Sequence, residues 1–271
     1  MSENQTVDHY DTHYSNFATD LYAAIRKEAF GEDIGQTGWL TADEQDDFIS
    51  RLDVGSGDTL LDIACGSGGP TLRIAAKTGS NVVGIDINEQ GIEAARKQAK
   101  DLRLTGQAKF EVVDGSNALQ FEENSFSGLI CVDAVNHLPR REVFFSDWYR
   151  VLEPGGSLVF TDPIIITGPL TNEEIRIRSS FAFFLFVPRG VDERLLEDAG
   201  FEVKTIEDKT ENMAIMARNW LNARDRYSSE LIKVEGEESF SETQTFFKVA
   251  ANISEERRLS RFAFHAVKPS E

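Results

Sequence analysis

The feature that most restricts how this chain can fold is a glycine-rich turn caught between a strand and a helix. The apolar run Leu60-Leu61-Asp62-Ile63-Ala64 stops at Cys65-Gly66-Ser67-Gly68-Gly69-Pro70, and a helical pattern follows at once. Glycines let the backbone approach a ligand closely, and Pro70 suits a first helical turn, where its missing N–H costs nothing. The free N–H groups of such a turn favour an anionic or polar ligand group. The same rhythm then repeats. Strands are expected at 59–64, 81–87, 108–113, 127–132 and 157–162, and helices at 70–78, 89–103 and 140–152. Regular alternation of this kind demands a mostly parallel sheet with right-handed crossovers and helices on both faces. Strands that read as near-continuous apolar runs fit a sheet covered on both sides.

The flanks extend this core. Residues 1–55 read as a helical N-terminal lid, with Phe17, Leu21, Tyr22 and Ile25 at helical spacing and Gly31 after the helix end. A turn-rich connector reaches Trp39, and Thr41-Ala-Asp-Glu44 then has the form of a capping box ahead of Phe48, Ile49 and Leu52. After the core, 56–163, the pattern breaks at Pro163. Cap elements are expected at 164–190, with a second capping box at Thr171–Glu174, and at 210–250, with a long helix over 212–234. The last helix–strand units occupy 191–209 and 251–271, closing with a strand at 260–267, so the sheet should count seven strands. Without an internal repeat or a Pro- or Ser-rich linker, 1–271 reads as a single α/β domain with cap insertions.

Composition narrows the partners. Asp and Glu number 46 against 28 Lys and Arg, a net charge of −18. Such a surface repels phosphate backbones and anionic membranes, which argues for a small-molecule substrate and against nucleic acid or membrane. The longest apolar stretches, Leu158–Ile166 and Phe181–Pro188, are too short to span a bilayer, which takes about 20 residues. Met1-Ser-Glu-Asn-Gln lacks the basic start and apolar core of a secretory signal. Two cysteines, Cys65 and Cys131, are too few for a disulfide framework or a zinc site, so a cytoplasmic chain with no metal is expected. A monomer or homodimer fits equally.

Asp86 closes the second strand about 20 residues beyond the glycines, where a carboxylate can accept hydrogen bonds from both hydroxyls of a ribose. A nucleoside cofactor follows. The dinucleotide fingerprint needs a third glycine, and counting from Gly66 and Gly68 that place falls on Thr71, so the NAD pattern fails. Asp62 sets a negative charge just before the turn. Beside a pyrophosphate it would be repelled; beside the amino and sulfonium groups of S-adenosylmethionine (SAM) it is favourable. The plainer alternative is that Asp62 only caps the turn and helix.

Five segments now stand in order: Asp62-Ile-Ala64-Cys-Gly66-Ser-Gly68-Gly69, Gly84-Ile-Asp86-Ile87-Asn88, Val113-Asp114-Gly115-Ser116-Asn117, Cys131-Val-Asp133-Ala-Val-Asn-His137-Leu138 and Leu152-Glu-Pro-Gly-Gly156. Over residues 40–163 they resemble the motifs of class I SAM-dependent methyltransferases. The resemblance implies a Rossmann-like, doubly wound sheet with SAM as cofactor. It implies that Asp62, Ala64, Gly66 and Gly68 form the cofactor turn, that Asp86 holds the ribose and that Ile87 packs on the adenine. It implies that Asp114 or Ser116 meets the adenine amino group, with Gly115 beside them in the cofactor site, and that the strand-end backbone at Val132–Asp133 binds the methionyl part. The N-terminal part is similar to sarcosine/dimethylglycine, phosphoethanolamine and tocopherol methyltransferases, which carry a Tyr-bearing helix that closes over SAM and then a glycine-rich segment with an aromatic. Tyr14 and Gly35-Gln-Thr-Gly-Trp39 look like those features, with core anchoring as the alternative for both aromatics.

The catalytic candidates are His137, Asp133 and Tyr14. A hydroxyl acceptor needs a general base, and His137, just past the fourth strand, is the first choice; the alternative is a structural or cofactor contact. Asp162, before Pro163, could hold only the start of the cap. Phe181, Phe183, Phe184 and Phe186 could line a greasy pocket or an aromatic box for a methylated ammonium, or pack in the core. The expected activity is methyl transfer to a small molecule, with N-methylation of an amine favoured. O- or C-methylation of a hydrophobic, aromatic or lipid-like substrate is the alternative, and a dehydrogenase or a non-catalytic binder of SAM or S-adenosylhomocysteine (SAH) the readings of another class.

Overall fold

The computed structural model describes residues 17 and 19–270, so Tyr14 lies outside the described residues. Two helices, α1 (Asp20–Phe30) and α2 (Ala42–Leu52), lead into β1 (Thr59–Ile63), α3 (Gly69–Thr78), β2 (Asn81–Asp86), α4 (Glu89–Asp101), β3 (Ala108–Val112) and β4 (Phe126–Cys131). After α5 (Arg141–Val151) come β5 (Leu152–Ile166), α6 (Asn172–Arg178), β6 (Val187–Pro188), α7 (Val191–Ala199) and β7 (Glu202–Asp208). Helices α8 (Thr210–Arg226), α9 (Ser228–Glu235) and α10 (Glu237–Glu255) precede the closing strand β8 (Leu259–Val267). The sheet order is β3-β2-β1-β4-β5-β8-β7, with β8 antiparallel to both neighbours and β6 a short addition to β5. The seven expected strands are therefore present, and the two-residue β6 makes an eighth.

Alternation along the buried strands divides the core. Leu61, Ile63, Leu129 and Cys131 face α5 and α7, where Phe144, Phe145, Trp148 and Leu196 are almost wholly buried. Leu60, Val82 and Ile130 face α2, α3 and α4, against Phe48, Leu72, Ile92 and Ala95. A third cluster lies outside the sheet: α1, α8 and α10 bury Tyr22, Ile25, Met213, Trp220 and Phe246 against one another. The cap thus has its own core.

Several element boundaries depart from the sequence reading, and β5 already begins at Leu152 rather than 157. Strand β5 does not stop at Pro163 but runs on to Ile166. Its register with β8 shifts between Asp162 and Ile165, which sets Pro163 at an irregularity where no ladder N–H is needed. The helix expected over 212–234 is two helices, parted at Tyr227, whose φ/ψ of −102°/21° leaves the helical region. The bend returns α9 to the cap, so that Leu231 is fully buried in its cluster.

Candidate functional site

The strand order reverses between β1 and β4, and ligands of open α/β sheets bind at the carboxyl ends of strands flanking such a point. There the chain forms a cleft lined by the glycine-rich turn, by Asp62, Ala64 and Asp133, and by Gly35–Gly38 of the N-terminal connector. Both strand ends carry a non-glycine residue in the left-handed region, Ala64 at φ 59° and Asp133 at φ 54°. Such conformations persist only where surrounding structure holds them, and they gather at functional sites.

The connector lies on the turn as a strap. A Cβ added to Gly69 would come within 2.4 Å of the Ile34 carbonyl, so this approach requires glycine. Gln45 of α2 ties the same region from behind, donating to the Pro70 carbonyl at 2.8 Å. Neither Gln45 nor the strap's fit was visible in the sequence, because both arise from the packing of distant segments.

Asp86 is 9% exposed, and each of its oxygens accepts one backbone N–H at 2.8 Å, from Gly66 and from Asn88. Burial pushes its carboxyl up, while the amides of Asn88, Gly66 and Ile87 pull it down. The neighbouring Ile87 is 70% exposed, an apolar side chain facing outward beside the strand end. Asp114, next along this edge, accepts from the Ser116 N–H at 2.9 Å and hydroxyl at 2.7 Å, and from Asn117. Gly115 packs closely on Ile63, where a Cβ would meet Cγ2 at 2.8 Å.

Asp62 lines the cleft and also accepts the Thr71 hydroxyl, at the position where a dinucleotide-binding turn has its third glycine. Burial pushes its carboxyl up to about 7, opposed by the Thr71 hydrogen bond and reinforced by the charge of Asp86. Gly68 stands at φ 76° as the cap of α3, its Cα side against Ala95 and Phe110. Cys65 and Cys131 are buried free thiols.

Several of the expected site residues are engaged in packing or hydrogen bonds within the protein. The Trp39 ring is buried in the cap core, edge-on to Phe247 at 6.1 Å, and only its backbone N–H reaches the site, donating to Asp133 Oδ2 at 2.8 Å. Asp133 is not a free base: its carboxylate also receives Thr161 at 2.7 Å and Arg261 at 2.6 Å. Asp162 is fully buried and held by Arg141 at 2.6 Å, away from the cleft lining. His137 sits in a short 3₁₀ turn, Val135–His137, with Nδ1 2.8 Å from the Phe183 carbonyl and Nε2 3.2 Å from Asn136 Nδ2. The carbonyl partner makes Nδ1 the donor and Nε2 the acceptor. Burial lowers the ring's pKa, which keeps it neutral.

The phenylalanine segment is irregular rather than helical. Phe181 packs on Phe246, Phe184 on His137, and Phe183 is 52% exposed. The Arg178 guanidinium lies over the Phe184 and Phe246 rings, at 5.4 and 4.7 Å. Those faces therefore already meet a cation, and the expected aromatic box for a second one is not formed by Phe184.

Comparison with known proteins agrees with this geometry. Residues 61–160 match the family model described as a methyltransferase domain. The sterol 24-C-methyltransferase of Saccharomyces cerevisiae is 35% identical over 164 residues, 58% of this chain and 42% of the relative. Phosphoethanolamine N-methyltransferase 3 of Arabidopsis thaliana is 28% identical over 223 residues, 80% of this chain and 43% of the relative. The chain thus spans less than half the length of these two relatives. Among solved structures, a Haemonchus contortus phosphoethanolamine N-methyltransferase, in complex with phosphomonomethylethanolamine and SAH, superposes with a TM-score of 0.80 at 19% identity, over 96% of this chain and 60% of that one. Residues 61–160 are a methyltransferase domain, and the fold is that of class I SAM-dependent methyltransferases.

Proposed function

We propose that this chain, through its methyltransferase domain, transfers a methyl group from SAM to a small molecule. The observation that carries the reading is Asp86, a buried carboxylate held by two backbone amides at the end of β2, beside the outward-facing Ile87. A carboxylate so placed suits the paired hydroxyls of a ribose, and an exposed apolar side chain next to it suits the face of a purine. The residues fit SAM better than a dinucleotide, since Thr71, held on Asp62, stands where a dinucleotide-binding turn has its third glycine. When bound, SAM supplies a methyl group already activated on a sulfonium.

The chain's own part is positioning. Asp86 and Ile87 would hold the nucleoside, Asp114 to Ser116 would meet the adenine edge, and Asp62, Ala64, Gly66 and Asp133 would surround the methionyl part. The strap lies over the turn, and alignment of the acceptor with the methyl group is what the protein contributes.

For the acceptor we favour an amine, N-methylated. His137 supports this: its Nε2 lone pair faces the Asn136 amide and its Nδ1 proton is committed to Phe183, which makes this ring a poor base toward a hydroxyl. O- or C-methylation of a hydrophobic substrate is the second reading, favoured by the aromatic wall of Phe184 against His137. The reading includes work in the cytoplasm as a monomer or homodimer, without nucleic acid. The excess of 46 acidic over 28 basic residues and two unpaired thiols support it. Among the described residues no helix is long and apolar enough to cross a membrane.

Isothermal titration with SAM, SAH and NAD, followed by a screen for SAH release over amines, phenols and carboxylic acids, tests the whole. Binding of SAM and SAH with release on amines is the expected result. Tight binding without release on any class would make the chain a non-catalytic binder, and NAD binding would overturn the reading. His137→Ala should leave an amine reaction within about threefold, whereas loss of a general base costs roughly 100-fold or more.

A further inference from the structure

One buried cation plays no part in the cofactor contacts above. Arg261 lies on β8 among apolar neighbours and is fully buried, on the strand face that looks toward α2. Its Nε donates to Asp133 Oδ1 at 2.6 Å, and its Nη1 donates to both oxygens of Glu44, at 2.7 and 2.8 Å. These carboxylates come from different parts of the chain. Asp133 follows β4 at the cleft, and Glu44 opens α2 directly behind the strap. Asp133 in turn accepts the Trp39 N–H of the strap, and Asn212 of α8 donates to the Trp39 carbonyl and to Glu44, each at 3.2 Å. Gly38 approaches the same carboxylate so closely that a Cβ would lie 2.7 Å from Asp133 Oδ2.

The chemistry of this junction is specific to arginine. A planar guanidinium can serve two carboxylates in fixed directions, whereas an ammonium is a point charge without the fork. Two buried carboxylates facing each other across a missing cation would repel and draw in water. The strap's seat on the turn therefore depends on a side chain more than 200 residues away in sequence (217 between Glu44 and Arg261).

We propose that Arg261 is a positioning residue that latches the strap, residues 35–40, over the glycine-rich turn by joining Asp133 to α2. It sets affinity for the cofactor without touching the reacting atoms. Its effect on affinity rests on the SAM reading; its effect on the strap does not.

The test uses the full chain and two mild variants. Arg261→Lys keeps the charge and loses the fork, and Glu44→Gln keeps the volume and weakens one arm of the latch. Hydrogen exchange read by mass spectrometry without ligand should show peptides covering 35–40 exchanging roughly fivefold faster or more in both variants, with β1 and β4 unchanged, the loss of about one net hydrogen bond. Titration with SAH should show its Kd raised by a similar factor. Unchanged strap exchange in both variants overturns the latch, and so does an equal rise throughout the sheet, which would mark a merely structural role. Faster strap exchange with an unaltered SAH Kd overturns the link to affinity. A wild-type chain that binds neither SAM nor SAH removes the cofactor reading, and strap exchange alone then decides the latch.

Discussion

Asp86 shows how one buried side chain can be fixed in place by the backbone around it. Each oxygen is aimed by an amide, from Gly66 on one side and Asn88 on the other, and a carboxylate oxygen so bound keeps a further lone pair for another donor. Replacing it with alanine should raise the SAH dissociation constant about tenfold or more, since hydrogen bonds to a charged acceptor are worth about 1.5–3 kcal/mol. An unchanged constant by titration would sink the ribose assignment. That Asp86 would close a strand and Gly66 would lie in the turn was legible in the sequence, because an apolar run followed by a glycine turn leaves few places for them to go. Trp39 was not: an aromatic in a glycine-rich connector reads the same whether its ring or only its N–H serves the site. Arg261 left a fainter signal, a lone charge inside the apolar closing strand, with nothing nearby in sequence to name its partners.

At the scale of elements, two matching motifs fold differently. Thr171–Glu174 forms the full reciprocal capping box, with Thr171 accepting the Glu174 N–H and Glu174 accepting the Thr171 N–H. At Thr41–Glu44 only the first half forms, because the Glu44 carboxylate is drawn to Arg261. Tertiary charge wins over local capping. The docking of α7 is electrostatic too: Asp192 and Asp162 both accept from Arg141 Nη1, and all three are buried. Burial and the Asp162 charge push the Asp192 carboxyl up, so the folded chain binds a proton there that an unfolded aspartate, with a pKa near 4, would release. Stability from this group is therefore lost as pH rises above about 4 toward its folded value. Asp192→Asn should flatten that dependence, so that its melting temperature relative to wild type is higher at pH 8.5 than at pH 5. A constant difference across that range would show that Asp192 takes up no such proton.

For the molecule as a whole, a net charge of −18 means that like charges repel across the folded surface. Raising salt from about 0.01 to 0.15 M shortens the screening length from roughly 30 to 8 Å. The melting temperature should rise by about 2–4 °C over that interval, and a fall would show that the surface ion pairs outweigh the repulsion. The charge, the order of strands and helices through Gly156, and the cofactor turn were determined by the sequence alone, since each rests on short-range periodicity or on residues a few positions apart. The bulge that carries β5 past Pro163, the break of the cap helix at Tyr227, the burial of Trp39 and the latch of Glu44, Asp133 and Arg261 were decided only by the tertiary structure. Each depends on which distant side chain supplies an apolar contact or a counter-charge, and that pairing is created when the segments pack.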